Sequence, residues 1–330
     1  MKQQIIKLLR FILPIEIFNF LVTINIHIKR IIVFYIAALK LISKQESEIS
    51  ILLFPIRGGR LLKESNAIFP RNYWHSWVWH IDLIKHGANL SWENDCVTAE
   101  YDGVKLSAYA GDSSLHTVYL EKFAEDEYHL ENVSLKDLSV LDIGANIGST
   151  AITFMKKGAK VVYAFEPLPI LKKYIQKNIN QNGFGNSVKI HTVGLHDRNE
   201  IKRIYIRKHA SAGTSTFLHS DDKINIRPGD ISQDIKLVNS VEYLKENDIK
   251  NIDVLKMDCE MCEYVVFKNS EFLEYLKPKI ILLEYHNGHE SLQKIFLENE
   301  YEVEVDRKYI RADGTHDPDP KVGIIIARWA

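Results

Sequence analysis

An alternation that begins at Leu138 and runs to the C-terminus limits what this chain can fold into more than any other feature. The short apolar segments SVLDIG, VVYAFEP, VKIHTVGL, IDVLKMD, KIILLEY, YEVEV and VGIIIARW read as seven strands. Stretches of helical period lie between most of them, through TAITFMKKG, ILKKYIQKNINQNG, YVVFKN and ESLQKIFLENE. A parallel strand is reached only by a long crossover, which a helix normally supplies, so strands alternating with helices imply βαβ units. The expected fold is α/β: a three-layer, Rossmann-like domain over residues 137–330 built on a mostly parallel seven-stranded sheet.

Two other segments precede it. Residues 46–136 form an accessory lead-in in which VTAEYDGVKLSAYA reads as a β-hairpin turning at Asp102 and Gly103. The aromatic cluster YWHSWVWH at residues 73–80 reads first as packing mass, with a substrate groove or a membrane interface as the functional alternatives. Residues 1–45 read as hydrophobic, basic helices. Although the whole chain carries only −1, residues 1–44 hold seven Lys/Arg against Glu16 alone, which leaves about −7 for the remainder. Their longest stretch free of charge, residues 17–28, is twelve residues, short of the roughly 20 that a spanning helix needs. Peripheral contact with the inner face of a membrane is the cheaper placement for such a helix, since spanning would bury Glu16 or Lys29 and Arg30 in hydrocarbon. Packing on the protein's own body, or on a second subunit of a homo-oligomer, is the alternative. The acidic remainder shows no basic stripe, so no nucleic-acid partner is expected. Three cysteines, Cys96, Cys259 and Cys262, are too few for a disulfide framework and suggest a cytoplasmic, reducing setting.

The chemistry gathers at the strand ends, where ligands bind in open α/β sheets. The first strand runs into LDIGANIGST, containing Asp142, Gly144, Ala145, Asn146 and Gly148. Glycines at a strand-to-helix turn permit positive φ and close backbone approach at a helix N-terminus. A dinucleotide fingerprint would read G-x-G-x-x-G, whereas here the spacing is G-x-x-x-G, which argues against NAD. Glu166, eighteen residues after Gly148, ends the second strand, where a carboxylate can accept both hydroxyls of a ribose. The fourth strand ends in LKMDCEMCE. Its C-x-x-C, Cys259 and Cys262, could be a metal knuckle, a redox pair or part of an acidic turn; without a second Cys or His pair nearby, the cysteines read as small packing residues.

In order and spacing, D-I-G-A-N-I-G-S-T, A-F-E-P-L-P, V-G-L-H-D, L-K-M-D-C-E-M-C-E-Y and L-L-E-Y-H resemble the FkbM family of class I S-adenosylmethionine-dependent methyltransferases. The likeness covers roughly residues 110–306. It implies an O-methyltransferase whose turn at residues 142–148 holds the methionine part of S-adenosylmethionine, with Glu166 on the ribose and Val193 and Gly194 beside the adenine. The family's fourth-strand motif, D-x-E-G-x-E, is matched at Asp258, Glu260 and Glu263, but Met261 stands where glycine is usual. That substitution implies a narrowed pocket, an altered specificity or a degraded site. A hydroxyl is a poor nucleophile at neutral pH, so a base is expected among Asp258, Glu260, Glu284 and His286. The last two lie two apart and therefore on one side of a strand. A divalent metal held by such groups is an alternative activator, although no metal ligand set is assigned. The acceptor expected is a hydroxyl of a glycan, a lipid-linked sugar or a secondary metabolite. A nucleotide-sugar-dependent glycan enzyme and a non-catalytic cofactor-binding partner are the competing classes.

Overall fold

The computed structural model describes residues 83, 86–93, 96–109, 114–119, 128–130, 133–206, 231–306, 309–310, 316–317 and 321–329. The helices expected in residues 1–45 and the aromatic cluster of residues 73–80 lie outside them. Among the described residues no helix is long and apolar enough to cross a membrane.

The lead-in forms a small antiparallel sheet of β1 (Asn89–Glu93), β2 (Cys96–Tyr101) and β3 (Val104–Tyr109), followed by the short helix α1 (Ser114–Tyr119). The hairpin turns where the sequence places it, with Tyr101 opposite Val104. Asp102 and Gly103 both take positive φ, 46° and 70°, the backbone a two-residue hairpin loop with the strands' own twist requires.

The main domain begins with β4 (Ser139–Ile143), α2 (Ser149–Lys156), β5 (Val161–Phe165), a 3₁₀ turn at Pro169–Leu171, α3 (Lys172–Gln181) and β6 (Val188–His191). It continues through β7 (Gly194–His196), β8 (Glu200–Ile206), β9 (Ile231–Asn239), α4 (Ser240–Glu246), β10 (Val254–Met257), α5 (Cys262–Val266) and α6 (Ser270–Leu276). The last elements are β11 (Ile280–Tyr285), α7 (Glu290–Glu298), β12 (Tyr301–Asp306), the two-residue strands β13 (Tyr309–Ile310) and β14 (His316–Asp317), and β15 (Gly323–Trp329). Seven strands form one sheet in the order β12-β15-β11-β10-β4-β5-β6. They are the seven that the sequence marks out. Only β15 runs antiparallel, slotted between β11 and β12.

Strand period two sends alternate side chains to opposite faces, and each face has its own helices. Val140, Val162 and Val254 pack with Ile152 and Phe154 of α2 and Ile175 and Ile179 of α3. Leu141, Leu255 and Leu283 pack with Leu244 of α4, Phe272 of α6 and Phe296 of α7. The three layers follow. The lead-in sheet joins the first of these cores through Val97, Leu106 and Ala108. Fully buried Asn178 of α3 ties it down: its amide donates to the carbonyls of Ser107 (3.0 Å) and Ile147 (2.8 Å) and its oxygen accepts the Ser107 N–H (2.7 Å).

One segment departs from the expected pattern. VKIHTVGL, read as a single strand, breaks after His191, and Gly194–His196 pairs instead with β9 in a second three-stranded sheet, β7-β9-β8. A Cβ on Gly194 would meet Leu237 at 2.7 Å, so glycine lets β7 close on β9. This added sheet forms one wall of the site.

Candidate active site

The order of the main sheet reverses between β4 and β10, and there the helices leave on opposite faces, opening a crevice at the strand ends. The turn after β4 is fixed by its neighbours. Gly144 takes φ 81°, and a Cβ there would stand 1.6 Å from the Asp258 carbonyl oxygen, so only glycine fits. The sequence suggests that this glycine admits a ligand; the group pressed against it is the protein's own turn after β10. The amides of Gly144 and Ala145 both donate to the Phe165 carbonyl at 3.0 Å. Gly148, at φ 85°, opens α2, whose N-terminus no side chain caps.

Asp142 does not face the crevice. It is wholly buried and opposes Lys256 across the β4–β10 pair. The Lys256 ammonium, 1% exposed, lies 3.2 Å from Asp142 and 3.8 Å from Asp258 and donates to the Gly144 carbonyl at 2.9 Å. A buried charge demands such partners. Lys256 thus binds the ends of the two central strands to each other.

The crevice itself brings together Gly144, Asn146, Glu166, Val193, Gly194, Asp258 and Glu260 from the sequence reading. Phe165, Leu195, Ile235 and Leu237 add apolar wall. Ala145 and Gly148 stand behind the lining, and Glu284 and His286 adjoin it through Asp258. Glu166, on the loop after β5, accepts the backbone N–H of Asn146 through one oxygen and that of Leu168 through the other, both at 3.0 Å. Burial nevertheless pushes its carboxyl up to about 7, outweighing those two amides and the nearby Lys256. The Asn146 side-chain oxygen is buried without a hydrogen-bond partner. Such an atom calls for a donor.

Opposite lies the turn after β10. Glu260 and Met261 both take left-handed backbone, φ 53° and 85°, and Met261 precedes the first residue of α5. Met261 therefore occupies a position whose conformation explains a preference for glycine, and it is not among the residues lining the crevice. Cys259 and Cys262 are joined by a disulfide. This corrects the reading of them as mere packing residues: the left-handed pair folds the chain back so that the two Cα atoms come within 5.5 Å.

Fully buried Glu263 accepts the His286 backbone N–H at 3.2 Å and pairs with its ring Nδ1 at 3.0 Å. The other ring nitrogen lies 3.8 Å from Asp258 and 3.7 Å from Glu260. Burial alone would lower the imidazole, but the Glu263 hydrogen bond and the charges of Asp258, Glu263 and Glu260 lift it to about 9. His286 is therefore a cation at neutral pH. Burial likewise lifts the Glu260 carboxyl to about 7, against the pull of His286 and with the repulsion of Asp258 and Glu263. Donor atoms of Asp258, Glu284 and His286 lie within 4.8 Å of one another. The disulfide leaves no thiolates for a metal at Cys259 and Cys262, and at Asp258, Glu284 and His286 a metal would have to displace the imidazole proton.

Several residues of the site are absent from the sequence reading. Phe165 lines the crevice, and Lys256 stands inside an otherwise apolar run, which is itself a signal. Ile235 and Leu237 belong to ISQDIKLVN, whose alternation marks a strand.

The methyltransferase FkbM domain pattern matches residues 142–308, half of the chain. No curated protein is detectably similar. Among solved structures, an FkbM methyltransferase from Methylobacillus flagellatus KT shares 17% identity over 64% of this chain and 47% of its own, with a TM-score of 0.37. The chain thus spans about half the length of that relative. A putative transferase from Pyrococcus horikoshii shares 12% over 71% of each chain, TM-score 0.42. TrmK from M. capricolum, solved with S-adenosylhomocysteine, shares 13% over 59% of this chain and 64% of its own, TM-score 0.35.

Proposed function

The chain belongs to the methyltransferase FkbM domain family, with S-adenosylmethionine as its methyl donor, and from this premise we propose that it methylates a hydroxyl oxygen. The observation that carries the proposal is Glu260. Its carboxyl lines the same crevice as Glu166 and titrates near neutral pH, as a general base for a hydroxyl should.

The residues present suit the donor. Glu166 spends one acceptor position of each oxygen on a backbone amide, which leaves the others for the paired hydroxyls of a ribose. The unpartnered Asn146 oxygen suits an ammonium, the uncapped start of α2 suits a carboxylate, and Phe165, Val193 and Leu195 suit a base. When bound, S-adenosylmethionine supplies an electrophilic methyl carried on a sulfonium. The protein's part is to hold an acceptor oxygen in line with it and to accept the proton that the hydroxyl loses. Glu260 takes that proton. Protonated His286, held by Glu263, keeps Asp258 and Glu260 oriented and offsets their charge; at neutral pH it cannot itself be the base. Lys256 keeps the turns after β4 and β10 in register, so the two halves of the site stay aligned.

The acceptor we propose is a glycan, a lipid-linked sugar or a secondary metabolite. The basic, apolar character of residues 1–44 supports one presented at an anionic membrane face. Incubation with methyl-labelled S-adenosylmethionine and a lipid and glycan extract tests this. Label in an alkali-stable O-methyl ether is the expected result, and label on nitrogen or carbon overturns the reading.

A further inference from the structure

We propose that the Cys259–Cys262 disulfide is a positioning device for Glu260, holding the turn after β10 in the left-handed shape that glycine would otherwise provide. Glu260 and Met261 are the only consecutive non-glycine residues with positive φ among the described residues. Left-handed backbone is unfavourable for a residue with a Cβ, so the turn at Cys259–Cys262 carries that cost twice and has a reason to relax. The disulfide joins the residues immediately before and after the pair. The bond limits how far Cys259 and Cys262 can separate, and with it how far the turn between them can open.

What the bond keeps in place is the side chain between its ends. Glu260 is turned into the crevice, 3.7 Å from the His286 ring, while Met261 is turned away from it. Both cysteines also line the crevice, so a small dithiol can reach them. Its attack breaks the S–S bond, leaves two protein thiols and releases the dithiol as its own cyclic disulfide. In the reduced chain the two left-handed residues are free to relax, and Glu260 moves off His286. The inference rests on the proposed function only for what Glu260 does chemically; where Glu260 sits is independent of it.

The test therefore reads position rather than turnover. Asp258, Glu260 and Glu263 face the His286 ring, with Glu284 in the same cluster. The ring's titration midpoint, followed by NMR on histidine-labelled full-length protein and assigned with His286→Gln, reports how many carboxylates remain. On adding dithiothreitol we expect the midpoint to fall by on the order of one pH unit, the effect of losing one facing carboxylate. In Met261→Gly one of the two left-handed positions is relieved, and the same reduction should lower the midpoint by clearly less than in the natural chain. An unchanged midpoint in the reduced natural chain overturns the proposal, as does an equal fall in Met261→Gly. So does loss of the whole spectrum on reduction, because the role assigned to the bond is local. Should the midpoint fall as expected while no hydroxyl takes up label, the positioning role stands and the hydroxyl reading fails.

Discussion

The turns after β4 and β10 enter their helices through the same left-handed conformation by different chemistry. Gly148 and Met261 each open a helix at φ 85°, with ψ 15° and −7°. At the first turn the left-handed positions fall to glycine, at Gly144 and Gly148, and to Asn146, which tolerates them. At the second they fall to a glutamate and a methionine with a disulfide across them. The difference follows from what each turn presents. In the function we propose, the first offers backbone amides and a small polar side chain to a cofactor, and the second aims a carboxylate at the acceptor, which a turn built of glycine throughout would not supply.

Gly144→Ala should break the comparison most severely. Its methyl would overlap the Asp258 carbonyl, and backbone on both sides must move, so we expect loss of several kcal/mol of unfolding free energy together with weaker binding of S-adenosylhomocysteine. Denaturant unfolding and calorimetry check both; a variant as stable as the parent would show that the turns are not in contact.

The electrostatics of the two turns make a second test. Glu166, Glu260 and His286 all have folded-state values raised above their ordinary ones. Each group's contribution is fully present below its unfolded value and is lost as pH rises through the folded one. The two carboxyls therefore lower stability as pH climbs from about 4.5 to about 7, and His286 continues the decline to about 9. In Glu166→Gln the first part of this slope should flatten, by up to ~3 kcal/mol between the ends of that window. Unfolding free energy measured at each pH decides it, and parallel profiles for parent and variant would contradict the burial of Glu166.

The smallest effect is the most specific. Met261→Gly makes the second turn resemble the first and should raise stability by about 1 kcal/mol, read from the denaturant midpoint. A loss would mean that the methionine side chain contributes more than its backbone costs.

The contrast also explains what could be read in the sequence. Most of the seven strands were legible because central strands are buried on both faces and stand out as apolar runs, and the edge strand β12 because its apolar and charged residues alternate. The hairpin was legible because Asp-Gly between alternating segments is a strong local signal. Glycine turns announce themselves too, and Gly144 and Asn146 line one crevice with Glu166 from the end of the next strand. The second turn does not announce itself. Nothing local in D-C-E-M-C-E says that Glu260 and Met261 are left-handed, and without that geometry the cysteines have no reason to meet. Lys256 was missed for a related cause: its partners, Asp142 and the Gly144 carbonyl, come from a strand more than a hundred residues away. The strands β8 and β9 were missed because residues 207–230 separate them, a connection too long for the tight hairpin that a local turn signal announces.

The central claim is a division of labour, with the cofactor held at the first turn and the acceptor's proton taken at the second. Glu166→Gln and Glu260→Gln test it most directly when calorimetry with S-adenosylhomocysteine is paired with single-turnover methyl transfer to the labelled acceptor. Glu166→Gln should lose cofactor affinity about tenfold or more, because an amide offers one accepting atom where the carboxyl offers two. Glu260→Gln should keep that affinity while transfer falls about 10²-fold or more. Equal loss of cofactor affinity in both variants, or undiminished transfer in Glu260→Gln, would contradict that division.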